Sequence, residues 1–203
     1  MLSVSQPIVN AFRLQRSHLI DSTSAVSPAR IASALCGAQA QVLSSGMLSL
    51  GIRSSSTEKN IAQAQARHGS LVKTWAMRGT LHLVASKDLS IFTSALGARA
   101  WEGRIGWMMQ DGLKRSDAER MLALLADTVC AEPMTRKELS AIAAESLGDW
   151  VKPWIESGWG GAMNTLCRVG VAVFGPPKGA HTTFVRRNAW VRTWKTYGDY
   201  IRE

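Results

Sequence analysis

The chain has few acidic residues, and this shortage limits the kinds of partner it suits. Its 203 residues contain 15 aspartates and glutamates against 24 lysines and arginines, which gives a formal net charge of +9 at pH 7. Such an excess of positive charge favours a polyanionic partner, nucleic acid above all, over an acid-rich protein surface. The alternative interpretation is that the charge only keeps the protein in solution.

Cysteine is also scarce. Only Cys36, Cys130 and Cys167 occur, with no Cys-x-x-Cys pair and no histidine cluster beside any of them. This pattern indicates neither a disulfide framework nor a zinc site, so we expect no metal. A reducing, cytoplasmic setting fits a chain that uses so few cysteines.

Long apolar runs are absent, since no window approaches the roughly 18 uncharged apolar residues of a membrane span, and we expect no membrane partner. The apolar content of 46% is typical of a globular protein with one large or two small domains. The basic, acid-poor stretch 1–20 is expected to add a first helix to the core through Ile8, Ala11, Phe12, Leu19 and Ile20.

Two sets of elements follow in the same order. Ser27 can cap a helix with apolar positions at Ile31, Ala34, Leu35 and Ala38. After a Ser/Gly-rich stretch at about 44–56, Thr57 can cap a third helix that runs to about Arg67. The run LVKTWAMRGTLHLVAS then predicts a β-hairpin that turns at Met77-Arg78-Gly79. Three short helices and a hairpin are typical of a winged helix-turn-helix module.

The second set begins with a helix capped by Ser86, followed by a basic, Trp-containing link from Arg99 to Trp107. Two capping boxes, Ser116 with Glu119 and Thr135 with Glu138, predict the next helix starts. A helix from Trp154 to Cys167 and a hairpin around the loop Gly175–Gly179 complete it.

The predicted fold class is therefore mainly α with small β-hairpins, arranged as tandem winged helix-turn-helix modules. We expect a first module at 1–85, a connecting helix and linker at 86–115, a second module at 116–188 and a tail at 189–203.

Two segments resemble a known family. The run LCGAQAQ from Leu35 to Gln41 is similar to the Gln-x-Gln motif of AlkZ-like DNA glycosylases, and KTWAMRGTLHL from Lys73 to Leu83 is similar to their Arg-Gly-Thr-Leu-His hairpin. The resemblance implies tandem winged-helix domains and removal of alkylated bases from DNA. Members of the family continue into a third winged-helix domain and a small β-barrel, for which nothing after Glu203 provides residues, so we expect either a fragment or a shortened member.

The resemblance makes Gln39 and Gln41 the expected catalytic pair. Hydrolysis of an N-glycosidic bond passes through a cation-like sugar, and an amide oxygen can both accept a hydrogen bond from water and face that cation. Residues two apart share a side only in an extended segment, so the helix must end near Gly37. The alternative is that both are solvated helix residues.

The remaining candidates would contact DNA. Arg78 and His82 lie in the first hairpin, where they either bind phosphate or tie the hairpin to the helices. The second wing carries the other basic candidates, Lys178, His181, Arg186 and Arg187, for which the rival interpretation is a solvated charged loop.

The leading functional hypothesis is a monofunctional glycosylase that acts without cofactor, as a monomer, on alkylated purines in double-stranded DNA. The first alternative is a winged-helix transcriptional regulator that binds DNA without catalysis. A second is a structural or partner-binding winged-helix protein, which the net charge of +9 disfavours.

Overall fold

The computed structural model describes residues 3–20, 26–159, 161–192 and 194, apart from the side chain of Ala98. It confirms the predicted fold class, mainly helical with small antiparallel sheets. The helices are α1 Gln6–Arg16, α2 Pro28–Ala34, α3 Leu43–Ser54, α4 Glu58–Ala64, α5 Leu89–Gln110, α6 Arg115–Thr128, α7 Arg136–Leu147, α8 Lys152–Glu156, α9 Gly161–Arg168 and α10 Arg187–Trp190. None of the described helices is long and apolar enough to cross a membrane.

The strands form two antiparallel sheets in the described part of the chain, each built on a hairpin. The first sheet has β1 Ala38–Gln39, β2 Leu71–Trp75 and β3 Leu81–Ala85, in the order β1-β3-β2. The second has β4 Met134–Thr135, β5 Ala172–Phe174 and β6 Thr183–Arg186, in the order β4-β6-β5. In each sheet a short strand from the helical region pairs with the second strand of the hairpin.

Helix α1 forms as expected but does not join the core. None of its residues is buried, and Ile8 and Phe12 are each 61% exposed. Leu19 and Ile20 lie beyond its end at Arg16 and are also exposed. The prediction of a core helix was wrong because an apolar stripe shows which face could be buried, while burial needs a packing partner.

The Ser/Gly-rich stretch at 44–56 is a helix, which the sequence did not predict. Met47 and Leu50 supply its buried face, and the Ser54 hydroxyl donates to the Leu50 carbonyl at 2.8 Å. Serine and glycine are weak helix formers in isolation, so tertiary packing stabilises this helix.

The basic Trp-containing link is likewise helical. Helix α5 runs unbroken for 22 residues through the segment expected to connect the modules. Ile105 and Met108 are fully buried on its core side. A β-carbon on Gly97 would lie 3.3 Å from the Arg168 carbonyl oxygen, so this glycine brings α5 close to the end of α9.

The predicted helix starts in the second half are confirmed in part. Thr135 and Glu138 form a capping box, and Thr57 caps α4 with Asn60. Ser116 does not cap α6, which begins at Arg115 with no side-chain cap. Glu119 instead pairs with Arg115 at 2.8 Å, and this ion pair competes with the expected capping box.

The expected helix from Trp154 to Cys167 is interrupted and forms α8 and α9. Gly161 adopts a φ of +40°, and a β-carbon there would lie 2.1 Å from the Trp154 carbonyl oxygen. The chain can pass this point only with glycine, so the break follows from a close backbone approach.

Hydrophobic contacts link the two sheets. Val72 and Val84 of the first sheet pack with Val173 and Val185 of the second. Trp75 reaches into the second half, where its ring centroid lies 4.7 Å from that of Phe174. The expected domain boundaries, including the one between residues 85 and 86, stay predictions. Buried apolar residues from both sides of the 85/86 boundary pack in one cluster.

Glu138 ties α7 to the second wing, and this contact predicts a pH effect. A hydrogen bond from Lys178 at 2.7 Å, with the capping bonds to Thr135, lowers the pKa of Glu138 from 4.5 to about 2. Because folding lowers the pKa of Glu138, the stabilisation from this contact is complete above about pH 4.5 and disappears as the pH falls through about 2.

We expect Glu138→Gln to have a lower Tm than the parent at pH 7, with a difference in Tm that narrows below pH 4. The exposed Glu145→Gln is the control, and a difference independent of pH would contradict the assignment.

Candidate functional site

The Gln-Ala-Gln segment begins where α2 is forced to stop. Cys36 and Gly37 adopt left-handed φ values of +58° and +104° directly after the helix. The Gly37 amide donates to the Ala32 carbonyl at 2.6 Å, which closes the last turn. A β-carbon on Gly37 would lie 3.1 Å from Val84 Cγ1, so glycine suits both the backbone and the space. The geometric condition placed on Gln39 and Gln41 is met, because the helix ends before Gly37.

The segment is extended along the edge of the first sheet. Gln39 pairs with His82, and the Ala40 amide donates to the Leu81 carbonyl at 2.8 Å. Burial alternates, with Ala40 buried and Gln39 and Gln41 both exposed. Both carboxamides are therefore open to solvent, while the alanines on either side of Gln39 are buried.

Both amides keep hydrogen-bonding capacity for a ligand. The Gln41 Oε1 atom accepts from the Leu81 amide at 3.4 Å, a long bond that leaves the NH2 group available. Gln39 makes no side-chain hydrogen bond with any described residue. Each side chain can thus hold a water or a substrate group without breaking a strong internal bond.

His82 pairs with Gln39 across the sheet and is buried. It is 3% exposed, and its Nδ1 atom lies 3.0 Å from the Thr80 carbonyl oxygen. A carbonyl only accepts, so Nδ1 donates in this contact. His82 shares one sheet row with Gln39 and Thr74, whose hydroxyl is buried with no partner. Its burial argues against the expected phosphate contact and favours support of the motif strand.

Gly46 sets the distance between α3 and the motif. A β-carbon there would lie 2.8 Å from Ala40 Cβ and 3.1 Å from the Gln39 carbonyl oxygen. These are backbone and methyl atoms with no flexible end, so an added methyl must displace the strand or the helix.

We expect Gly46→Ala to lower the free energy of unfolding by about 1–3 kcal/mol, the usual cost of overpacking. The displaced amides should also slow base release by about tenfold, since small misplacements near reacting groups are costly. Gly106→Ala is the control, because its β-carbon would meet nothing within 4 Å. The measurements are thermal melting and single-turnover base release of both variants. A parental Tm and a parental release rate for Gly46→Ala would rule out this spacing role.

Arg78 lies at the tip of the first hairpin. It adopts a left-handed φ of +57°, and Gly79 follows at +71°. Its side chain is exposed and makes no hydrogen bond or ion pair with the described residues, so it remains available for a phosphate.

The second wing divides the remaining candidates. Lys178 is exposed but paired with Glu138 at 2.7 Å, which neutralises part of its charge. His181 is exposed on the same loop, where it bridges to Lys178 through backbone bonds at 3.0 Å. These two side chains lie at the tip of the wing, as the sequence predicts.

Arg186 and Arg187 are half-buried and bound to main-chain carbonyls. Arg186 donates to the Val129 carbonyl at 2.7 Å and to that of Ala126, at the end of α6. Arg187 donates to the Gly170 carbonyl at 3.1 Å, and its guanidinium lies 3.8 Å from the ring centroid of Trp194. These contacts argue against the expected role in phosphate binding, because both guanidinium groups serve the fold.

A cavity of about 610 Å³ is lined by residues of α3, α4 and β2 and by the segment from Phe174 to Trp190. Its lining includes Leu43, Met47, Lys73, Phe174 and Trp190. The Lys73 ammonium lies 5.1 Å from the Phe174 ring centroid, and burial lowers the pKa of Lys73. The sequence held no signal for this cavity, since its walls come from distant segments.

Known proteins resemble this chain in sequence and in fold. The chain is 29% identical over 177 residues to an interstrand DNA cross-link repair glycosylase from Streptomyces sahachiroi, a match that covers 87% of this chain and 47% of the relative. The solved structure of the Streptomyces sahachiroi DNA glycosylase AlkZ superposes with a TM-score of 0.77 at 26% identity, over 96% of this chain and 53% of that one. The chain thus spans about half the length of these relatives. A family model described as DNA glycosylase AlkZ-like matches residues 32–201, and the chain therefore belongs to the AlkZ-like DNA glycosylase family.

Proposed function

We propose that the chain hydrolyses the N-glycosidic bond of alkylated purines in duplex DNA, with Gln39 and Gln41 as the catalytic residues. The observation that carries this proposal is the pair of exposed carboxamides, Gln39 on the edge strand β1 and Gln41 just beyond its end. Membership of the family and the glycosylase names of the relatives support the same reaction.

The chemistry suits neutral amides. Departure of the base leaves positive charge on the sugar, which an amide oxygen stabilises without a formal charge of its own. The same oxygen accepts a hydrogen bond from the attacking water and orients it. Alkylation at a purine ring nitrogen makes the base a cationic leaving group, so a strong general acid is not needed.

We propose hydrolysis without a lyase step. A lyase needs an amine that reaches the sugar carbon, and the lysine of the first sheet is Lys73. Lys73 pairs with Leu83, and Leu83 with Ala38, so Lys73 shares the face of Ala38. Gln39 is the next residue along β1 and projects from the opposite face. This separation supports a monofunctional enzyme.

The DNA contacts proposed for this activity are Arg78 on the first hairpin and His181 on the second wing, with Lys178 a weaker contact because Glu138 pairs with it. All three side chains are exposed. Contacts of this kind bind phosphates irrespective of sequence, so binding should be salt-dependent with little sequence preference.

The experiment is an assay of abasic-site formation on duplex DNA that carries N7-alkylguanine, with undamaged duplex as the control. We expect release of the alkylated base and no strand cleavage before alkali treatment. Base release on a cross-linked duplex in parallel would assign the substrate named for the relative. DNA binding without any base release would instead support the regulator.

A further inference from the structure

A second cluster of positive charge lies on the face formed by α5 and α9. Arg99 and Arg104 of α5 and Arg168 at the end of α9 line a small pocket of about 280 Å³ together with Gly103 and Trp107. A β-carbon on Gly103 would meet nothing within 4 Å, so this side of the pocket is open. This arginine pocket belongs to other elements than the sheet that carries Gln39 and Gln41.

Arg104 is held in place. The Arg104 Nη2 atom donates to Asn164 Oδ1 at 3.4 Å, and Asn164 is itself only 5% exposed. The Arg104 guanidinium also lies 5.0 Å from the ring centroid of Trp107, whose ring meets that of Trp154 edge-on at 5.5 Å. Arg104 is therefore oriented by an amide and an aromatic ring, which leaves its charge uncompensated.

No carboxylate within the described ranges forms an ion pair with any of the three arginines. The Arg168 Nε atom is buried and has no hydrogen-bond partner. Burial and the charge of Arg168 lower the pKa of Arg104, which reports repulsion between the two. Arg115, the first residue of α6, shows the usual alternative, since it pairs with both Glu102 and Glu119.

We propose that the arginine pocket binds a phosphodiester group of the DNA strand. A phosphate would accept from the free guanidinium donors, compensate the charges and relieve the repulsion between Arg104 and Arg168. The inference takes DNA as the ligand and so rests on the proposed function. It adds a DNA contact on the α5/α9 face, beyond the hairpin and the wing.

The test is the salt dependence of binding to undamaged duplex DNA by fluorescence anisotropy, with the full chain. Each neutralised phosphate adds about 0.9 to the slope of log affinity against log salt. We expect Arg104→Gln/Arg168→Gln to reduce the magnitude of this slope by about 1 and to weaken binding about tenfold at moderate salt. Arg99 is exposed, so Arg99→Gln should not disturb packing. It should reduce the slope by a smaller amount and replaces the double variant as the test if that variant does not fold.

The matched control is Arg115→Gln/Lys152→Gln, which removes two cations that carboxylates already pair. It lowers the net charge equally but should leave the slope near the parental value. Equal loss of slope in both double variants, or no loss in either, would overturn the proposal. So would tight binding of inorganic phosphate that Arg104→Gln/Arg168→Gln abolishes while the DNA slope is unchanged.

Base release separates this inference from the proposed function. Parental release with an unaltered slope in the Arg104→Gln/Arg168→Gln variant would refute the pocket and leave the glycosylase assignment intact. A reduced slope in that variant, with no release by the parent, would support the pocket and refute the catalytic assignment. A parent that does not bind duplex DNA at low salt would refute the pocket directly.

Discussion

Gln39→Ala and Gln41→Ala are each expected to lower the rate of base release by about tenfold to a thousandfold. A preorganised polar contact contributes about 1.4–4 kcal/mol to a transition state, and each substitution removes one. Affinity for undamaged duplex should barely change, because neither amide carries charge that binds phosphate. The measurement is single-turnover release of N7-alkylguanine at saturating enzyme, where binding no longer limits the rate.

Gln63→Ala is the matched control, since Gln63 is an exposed glutamine on α4. Thermal melting of the three variants separates lost chemistry from lost structure. Release at the parental rate by both motif variants would refute the catalytic assignment, and the regulator would become the better hypothesis.

Arg186→Ala is expected to lower the free energy of unfolding by about 2–3 kcal/mol, which for a chain of this size corresponds to roughly 5–10 °C in Tm. The Arg186 guanidinium donates to the carbonyls of Ala126, Asp127 and Val129, at the end of α6. Its removal leaves helix-terminal carbonyls without a donor and takes a cation from the negative end of the helix dipole.

Arg192→Ala provides the comparison, because Arg192 is exposed and the substitution changes net charge by the same amount. We expect Arg192→Ala to have the same Tm as the parent. If Arg186→Ala were as stable as the parent but lost salt-dependent DNA binding, the phosphate contact predicted from the sequence would be right and the structural role wrong.

Features encoded by neighbouring residues were predictable from the sequence. The capping box of Thr135 and Glu138 needs only residues three apart, and the first hairpin needs only an alternating run and a Gly79 turn. The Gln-Ala-Gln motif was recognised from its residues, and its extended form was a stated condition that the left-handed Cys36 and Gly37 meet.

Features that depend on distant partners were not predictable. Helix α3 looks like a loop in sequence because its serines and glycines are weak helix formers, and only burial of Met47 and Leu50 stabilises it. Serine is a favourable N-cap residue, yet Ser116 does not cap α6. The helix begins at Arg115, and Glu119 forms an ion pair with Arg115 instead. Helix α3 and the middle of α5 are the two helical segments that the sequence did not predict. Both were missed because packing against distant residues stabilises them.

The sequence by itself determined the helical class, the two hairpins, the excess of positive charge and the motif that identifies the family, because short-range chemistry and composition encode all of these. Only the tertiary structure decided which basic side chains are bound to other groups of the fold. Arg186 and Arg104 are the same residue type in different surroundings. The Arg186 guanidinium donates to three carbonyls at the end of α6. The Arg104 guanidinium lies beside Arg168, and no carboxylate in the described ranges pairs with it. A residue's free charge depends on groups far away in the chain, and folding alone brings those groups together.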